Sequence, residues 1–212
     1  DYPFKITDFD AAGSLAVAGL LDGSIECVDS SGKSVLSFAP GGSRIEVVLG
    51  VALDPREEAI AAVCGADRQR FVFLVRKGGS FKVQYHRYLD SDYREPVTVL
   101  FTRDGRYVLY RQSEGIAVYD RETNREFLLP VRAQSFELAS DPSRGLEFLF
   151  TRTARSGTVV CFEPPPASSF RTPFPAEPFG RGTWTGVSIS VPVLFSEEST
   201  SRRNKWDQEC GD

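Results

Sequence analysis

Residues 97–110 read Val97-Thr-Val-Leu-Phe-Thr-Arg-Asp-Gly-Arg-Tyr-Val-Leu-Tyr, which is two short apolar runs joined by an Asp-Gly turn. Two more apolar runs follow, at 116–120 and 126–129. Asp-Gly is among the stronger turn signals, and short apolar runs between turns are typical of β-strands. This stretch therefore predicts a unit of four short strands joined by tight turns.

The same unit recurs along the chain. In each copy an aspartate opens the first turn, and these aspartates are Asp10, Asp54, Asp104 and Asp141. An aspartate carboxylate accepts a hydrogen bond from the backbone two residues on, which suits a tight turn. Repetition every 37 to 50 residues predicts stacked supersecondary units, and the strand-only pattern favours propeller blades over helical arrays.

The apolar runs after these turns are continuous rather than alternating. Examples are 15–18, 59–64, 107–110 and 148–150. Continuous runs are expected for strands that neighbouring sheets cover on both faces. The alanines of 59–63 also permit a helix, but the short length of the run and the preceding Asp54-Pro55 turn favour a strand.

One outer strand is predicted at 81–88, where apolar and polar residues alternate. Side chains of a strand alternate between its two faces. We therefore expect Phe81, Val83 and Tyr85 to share a buried face. Lys82, Gln84 and His86 are expected on the solvated face.

The runs Val99-Leu-Phe-Thr-Arg-Asp-Gly-Arg-Tyr-Val and Ile116-Ala-Val-Tyr-Asp-Arg-Glu-Thr-Asn-Arg-Glu resemble blades of the WD-repeat and quinoprotein-like β-propeller families. The resemblance covers residues 6–163. It implies a propeller fold. Within residues 6–163 the Gly-His and Trp-Asp signatures of regular WD repeats do not occur, so the resemblance supports the fold rather than an inherited activity.

We predict an all-β propeller or propeller segment within residues 1–163. It has about four four-stranded antiparallel blades, at about 6–40, 45–89, 97–130 and 135–163. The irregular segment 164–212 is rich in proline and predicts a linker or tail, partly disordered. Within it, 187–195 alternates and allows one additional strand, with Pro192 at its edge.

The start of the chain and its cysteines bear on compartment. The chain begins Asp1-Tyr-Pro-Phe, contains no methionine and shows no signal segment. We expect either a removed leader or a piece of a longer protein, with further blades from upstream sequence or from a second copy. A removed leader favours a periplasmic or secreted location slightly over the cytoplasm. Cys27, Cys64 and Cys161 favour the cytoplasm, because free cysteine in a predicted strand behaves as a small buried hydrophobe.

Motifs for catalysis are not found. The single histidine, His86, has no second histidine or Cys-x-x-Cys motif with which to form a metal site. No nucleophile elbow and no glycine-rich phosphate loop occurs. No apolar stretch is long enough to cross a bilayer. The sequence therefore predicts a soluble chain without catalytic residues, metal or cofactor; the alternative is an enzyme or sensor that holds a sugar or quinone-type ligand in the axial cavity.

Arginines supply the remaining functional signal. In propellers of this kind, loops between blades share a rim with loops between the second and third strands. This rule predicts one arginine-bearing rim, with nearby tyrosines, formed by Arg44, Arg68, Arg70, Tyr88, Tyr93, Arg94, Arg111, Arg132, Arg152 and Arg155. The opposite rim is predicted to be acidic, through Asp54, Glu57, Glu58, Asp104, Asp120, Glu122 and Asp141, diluted by Arg103, Arg106 and Arg121.

We expect the arginine-bearing rim to bind a protein partner with an acidic surface, because guanidinium groups beside tyrosines are typical interface anchors. The net charge of −4 and the pI near 5.2 disfavour nucleic acid. Charge reversal at Arg68, Arg70 and Arg94 is expected to slow partner association without unfolding the protein.

Overall fold

The structure, a computed structural model, describes residues 4–141, 143, 146–153, 156–162 and 188–192. Within these residues the regular structure is entirely β, which confirms the predicted all-β class. Sixteen strands form four antiparallel sheets of four strands each. In every sheet the four strands lie in chain order. No described helix is long and apolar enough to span a membrane.

Sheet 1 contains β1 (Ile6–Ala12), β2 (Leu15–Leu20), β3 (Ile25–Asp29) and β4 (Ser34–Phe38). Sheet 2 contains β5 (Val48–Leu53), β6 (Ala59–Cys64), β7 (Arg70–Lys77) and β8 (Ser80–Tyr88). Sheet 3 contains β9 (Val99–Phe101), β10 (Tyr107–Gln112), β11 (Gly115–Asp120) and β12 (Arg125–Leu129). Sheet 4 contains β13 (Ser135–Asp141), β14 (Leu146–Arg152), β15 (Ser156–Phe162) and β16 (Ser188–Pro192).

The last strand of sheet 4 comes from the proline-rich segment. β16 pairs with β15, with Ser156 opposite Pro192 and Val160 opposite Ser188. The alternation at 187–195 had left this strand open as an option. Pro192 lies at the end of an edge strand, a position at which sheets tolerate proline.

The sheets pack face to face, and β6 shows why its sequence is apolar throughout. Ala59, Ala61 and Val63 belong to the core between sheets 2 and 3. Ile60, Ala62 and Cys64 belong to the core between sheets 1 and 2. A strand buried on both faces requires apolar side chains at every position. The run 59–63 is thus part of a strand, and the helical alternative is wrong.

Aromatic rings dominate the core between sheets 2 and 3. The ring of Phe71 stacks on that of Tyr110, with centroids 4.4 Å apart. The ring of Tyr85 stacks on that of Tyr119, with centroids 4.8 Å apart. Offset aromatic pairs at these separations contribute about 0.5–1.5 kcal/mol each beyond the area that they bury.

The predicted buried face of β8 is wrong, because Val83 is 42% exposed and Phe81 and Tyr85 lie on opposite faces. A β-bulge interrupts the pairing with β7, so that Phe73 faces Tyr85 and Leu74 faces Val83, leaving Gln84 unpaired. An extra residue moves all following side chains to the other face. Phe81 therefore packs between sheets 1 and 2, whereas Tyr85 packs between sheets 2 and 3. His86 is exposed, as expected.

The first strands of consecutive sheets, β1, β5 and β9, lie side by side. The edge of β5 is capped by carboxylates from β1. Asp8 accepts a hydrogen bond from the Val51 N–H at 2.9 Å, and Asp10 accepts one from the Leu53 N–H at 2.8 Å. Burial raises the pKa of Asp8, although its backbone hydrogen bonds act in the opposite direction. These carboxylates therefore satisfy backbone donors at a sheet edge.

Candidate functional site: a loop face with arginines and tyrosines

Connections at one end of the sheets contact each other closely. The Ala66 N–H donates to the Ile45 carbonyl at 3.0 Å, and the Gly65 N–H donates to the Val47 carbonyl at 2.8 Å. The turn between β6 and β7 therefore lies beside the connection between sheets 1 and 2. We call this end of the molecule the loop face. It comprises the connections 39–47, 89–98 and 130–134, the turn 65–69 and the adjoining strand ends.

Tyr88 lies between two arginines on the loop face. The Cζ atom of Arg68 is 3.9 Å from the centroid of the Tyr88 ring, and that of Arg70 is 5.7 Å away. Arg70 and Tyr88 face each other in the pairing of β7 with β8. Arg70 also donates a hydrogen bond to the Pro40 carbonyl. Because Arg70 is only partly exposed and holds a connection in place, it is a structural residue.

Arg111 joins two connections of the loop face. Its side chain is only 6% exposed. One terminal nitrogen donates to the Gln134 carbonyl at 2.7 Å, and the other contacts the Glu95 carboxylate at 2.5 Å. The guanidinium also lies 4.1 Å from the centroid of the Tyr93 ring. Arg111 thereby links connection 89–98 to connection 130–134.

A buried glutamine, which no sequence motif indicated, supports connection 89–98. The Gln69 amide nitrogen donates to the Tyr93 carbonyl, and its amide oxygen accepts from the Ser91 hydroxyl at 2.7 Å. The Leu89 N–H donates to the Gln69 carbonyl at 2.9 Å. Buried polar groups must be paired, and here the pairing fixes a loop. The ring of Tyr93 packs against the core between sheets 2 and 3.

Three predicted site arginines, Arg94, Arg132 and Arg152, are exposed on or beside the loop face. Their side chains have no ion pair or hydrogen bond to another described residue. Arg94 precedes the Glu95 bound by Arg111, and Arg132 lies two residues before Gln134. The Arg152 carbonyl accepts a hydrogen bond from the Gln134 N–H at 2.8 Å. All three therefore lie in segments close to the Arg111 contacts.

The other predicted site arginines differ in placement. Arg44 is exposed but pairs with Asp67, with Nε 3.1 Å from Oδ2. Hydrogen bonds from Ser43 and Arg44 hold the pKa of Asp67 well below its usual range. Arg155 lies outside the described residues. Carboxylates of Asp67 and Glu95 thus share the loop face with the arginines, which corrects the expectation of one positive face. Arg94, Arg132 and Arg152 lie in the segments around Arg111 and make no ion pair with a described residue.

The opposite rim, which we call the turn rim, contains the turns 54–58, 102–106 and 120–125. Asp54 is fully buried, and its carboxylate contacts the Arg121 guanidinium at 2.7 Å. The same guanidinium donates to the Gly105 carbonyl at 3.2 Å. Gly105 has φ +64°, and a Cβ there would lie 2.1 Å from the Asp54 carboxylate, so only glycine fits. The Arg106 guanidinium contacts the Asp120 carboxylate at 3.1 Å.

Reactive groups are not assembled in the part of the chain that the structure describes. No group of three His, Cys, Asp or Glu side chains there is placed to hold a metal ion. Cys27 and Cys64 are free and buried. Burial raises the pKa of Cys27 to about 11 and that of Cys64 to about 12, so both thiols are protonated at neutral pH. Cys161 and Cys210 lie among residues whose side chains are not described.

Four-stranded antiparallel sheets packed face to face, with their first strands side by side, define a β-propeller architecture. A family model described as β-propeller protein matches residues 1–179. The chain belongs to this β-propeller family. The predicted propeller fold and the resemblance to WD-repeat-like blades are both confirmed.

The chain is similar to a curated protein and to solved structures. An uncharacterized protein of Treponema pallidum (strain Nichols) is 33% identical over 126 residues, which are 59% of this chain and 33% of that protein. The solved structure of Saccharomyces cerevisiae Sqt1 is similar with a TM-score of 0.57 at 12% identity, covering 77% of this chain and 46% of Sqt1. The match with the Treponema pallidum protein thus spans a third of that protein's length.

Two further solved structures are similar. The Cps50 (Swd1) β-propeller domain of Myceliophteria thermophila gives a TM-score of 0.53 at 15% identity, covering 80% of this chain and 57% of that one. A chain of a mitotic checkpoint complex gives 0.55 at 10% identity, covering 73% and 49%. At these identities the three solved structures share the β-propeller fold with this chain.

Proposed function

We propose that this propeller is a non-catalytic scaffold that binds a protein partner through its loop face. The observation that carries the proposal is the group of Arg94, Arg132 and Arg152, which are exposed and have no side-chain partner among the described residues. Unpaired guanidinium groups can still form bidentate hydrogen bonds to carboxylates. Arg44, by contrast, already has an acidic partner in Asp67.

The hydrogen bonds that hold the connections around these arginines favour binding of a partner. Arg111 and Gln69 fix connections 89–98 and 130–134 by hydrogen bonds, so little conformational entropy is lost when a partner binds. Tyr88 and Tyr93 provide aromatic surface next to guanidinium groups. Tyrosine and arginine are enriched among the residues that carry binding energy at protein interfaces. The partner surface is proposed to be acidic where it meets Arg94, Arg132 and Arg152.

The alternative of a ligand in the axial cavity has less support. Carboxylates that point from β1 towards the neighbouring first strand are already used: Asp8 and Asp10 accept backbone N–H groups of β5. Acidic groups engaged in this way hold strands together and are not free for acid–base chemistry.

The test compares three forms of the chain as baits. The first is the wild type, the second carries Arg94→Glu, Arg132→Glu and Arg152→Glu, and the third carries Arg125→Glu. Arg125 is also exposed, but it begins β12 at the turn rim. We expect a partner that the wild type and the Arg125→Glu form retain and that the triple variant loses. Thermal unfolding of all three should coincide, because exposed residues are changed.

The recovered partner is then purified and its association rate is measured against ionic strength. Reversal of steering charges should lower the association rate and weaken its dependence on salt. Equal binding by the triple variant and the Arg125→Glu form would reject the loop face as the interface. Arg70 is left unchanged, since its bond to Pro40 makes its reversal a test of folding as well as of binding.

A further inference from the structure

Connection 39–47 contains two consecutive glycines, Gly41 and Gly42, whose φ angles of +64° and +85° are both positive. Gly42 is exposed. A Cβ atom on Gly42 would lie 2.8 Å from the Tyr88 hydroxyl oxygen and 3.4 Å from Nη1 of Arg70. A side chain at this position would therefore be strained and would fill the space between these two groups. Glycine leaves that space open on the loop face.

The hydrogen-bond donors beside this space are only partly used within the molecule. Arg70 donates from Nη2 to the Pro40 carbonyl, whereas its Nη1 has no acceptor among the described residues. Its Nε is buried and has no acceptor either. The Tyr88 hydroxyl likewise forms no hydrogen bond to the part of the chain that the structure describes. Donors left unused in this way favour an acceptor from another molecule.

The charge around the space is positive. The Cζ atoms of Arg68 and Arg70 lie 3.9 Å and 5.7 Å from the centroid of the Tyr88 ring. Neither guanidinium group forms an ion pair with a described carboxylate. Asp67, which precedes Arg68 in the chain, pairs instead with Arg44. Two guanidinium charges therefore lie beside one tyrosine without an ion-pair partner among the described residues.

We propose that the space bounded by Gly42, Arg68, Arg70 and Tyr88, which we call the Gly42 cradle, binds the phosphoryl group of a phosphate monoester. A phosphoryl group carries a charge of about −1.5 to −2 at pH 7 and three strong acceptor oxygens. It therefore matches two guanidinium charges and donors from three separate side chains. A carboxylate has one charge and two acceptor oxygens, so it would use less of the cradle.

The Gly42 cradle is held in place by contacts within the chain. Arg70 and Tyr88 face each other across the pairing of β7 with β8. The bond from Arg70 to the Pro40 carbonyl fixes connection 39–47 beside this pair. The Leu89 N–H donates to the Gln69 carbonyl at 2.9 Å, which holds the chain just after Tyr88. Donors that are already positioned lose little conformational entropy when a ligand binds.

The test titrates the purified, ¹⁵N-labelled chain with inorganic phosphate, methyl phosphate and acetate at constant ionic strength. The amide signals of Gly41 and Gly42 report binding by nuclear magnetic resonance. We expect saturable shifts with inorganic phosphate and with methyl phosphate. Acetate should bind roughly tenfold more weakly or less, because it lacks the second charge and the third acceptor oxygen.

Two variants test the side chains of the Gly42 cradle. Tyr88→Phe removes the hydroxyl and keeps the ring that contacts Arg68, and Arg68→Gln removes one charge. Each should weaken the binding of inorganic phosphate roughly tenfold. The control is Arg125→Gln, which removes the same charge at an exposed position of the turn rim and should leave phosphate binding unchanged. Thermal unfolding of all three in chloride should stay close to that of the wild type, because exposed residues are changed.

Three results would overturn the proposal. The first is a wild type without a saturable response to inorganic phosphate or to methyl phosphate. The second is equal affinity for acetate and phosphate, which would assign the cradle to carboxylates. The third is a folded Tyr88→Phe variant that binds phosphate as tightly as the wild type does. The proposed protein partner is tested separately, because Arg94, Arg132 and Arg152 are unchanged in all of these variants.

Discussion

The turn rim and the loop face use arginine in opposite ways. On the turn rim, Arg121 and Arg106 contact carboxylates of the same molecule, and Asp54 beneath Arg121 is fully buried. On the loop face, Arg94 and Arg132 are exposed and make no described side-chain contact. On the turn rim, the Arg121–Asp54 pair thus joins sheets 2 and 3, and the Arg106–Asp120 pair joins two parts of sheet 3. The loop face, in contrast, has exposed guanidinium groups that no described carboxylate contacts, which is the basis of the proposed partner site.

The largest loss of stability is expected when the Arg121–Asp54 pair of the turn rim is broken. Arg121→Ala removes the 2.7 Å partner of the buried Asp54 carboxylate, which keeps a longer contact of 3.6 Å with Arg56. Hydrogen bonds of charged groups contribute about 1.5–3 kcal/mol, so we expect a loss of about 3 kcal/mol. The free energy of unfolding from urea titration should fall by about that amount. Arg125→Ala, at an exposed position of the same rim, should change it by no more than about 0.5 kcal/mol. Equal losses in the two variants would show that the turn rim is not held by this pair.

From the sequence, the turns of this rim could be predicted, but the side-chain contacts between the turns could not. Asp54 and Asp104 accept hydrogen bonds at 3.0 Å from the N–H groups two residues on, as the turn signal indicated. Arg121, in contrast, had been interpreted only as a residue that dilutes acidic charge. Its partner Asp54 is 67 residues away in the chain, so local sequence carries no sign of the contact.

The same limit applies to the candidate site and to β8. Turn spacing was enough to assign Arg68 and Arg94 to one rim, but not to separate them from Arg70 and Arg111, which hold connections in place. That distinction depends on which side chains reach a neighbouring loop. The bulge at Gln84 was also hidden, because each half of β8 alternates correctly and only pairing with β7 shows the extra residue.

Arg111 is an exception to the contrast between the turn rim and the loop face. It lies on the loop face, yet it is buried and bonded to other residues of the molecule. Arg111→Ala removes a 2.7 Å bond to the Gln134 carbonyl and the contact with Glu95. Hydrogen bonds of charged groups contribute about 1.5–3 kcal/mol, and Glu95 remains solvated, so we expect a loss of about 2 kcal/mol in unfolding free energy. Hydrogen exchange of connections 89–98 and 130–134 should accelerate in the same variant.

Arg132→Ala is the matched control for this prediction, since Arg132 lies in one of the two tethered connections but is exposed. It should leave both stability and exchange rates unchanged within about 0.5 kcal/mol. If Arg132→Ala were as destabilising as Arg111→Ala, Arg132 would have a structural contact, and it could no longer be assigned to partner recognition.

The smallest effect concerns Arg68, which is intermediate between the two kinds of arginine. It is exposed, yet its guanidinium lies 3.9 Å from the centroid of the Tyr88 ring. Exposed cation–π pairs contribute about 0.5–1 kcal/mol, so Arg68→Ala should lower the unfolding free energy by about 0.5 kcal/mol. A double-mutant cycle with Tyr88→Ala isolates this energy from other effects of each change. A coupling energy of zero would place Arg68 with Arg94 and Arg132 among the arginines available to a partner, whereas a clear coupling means that Arg68 and Tyr88 present one preformed surface.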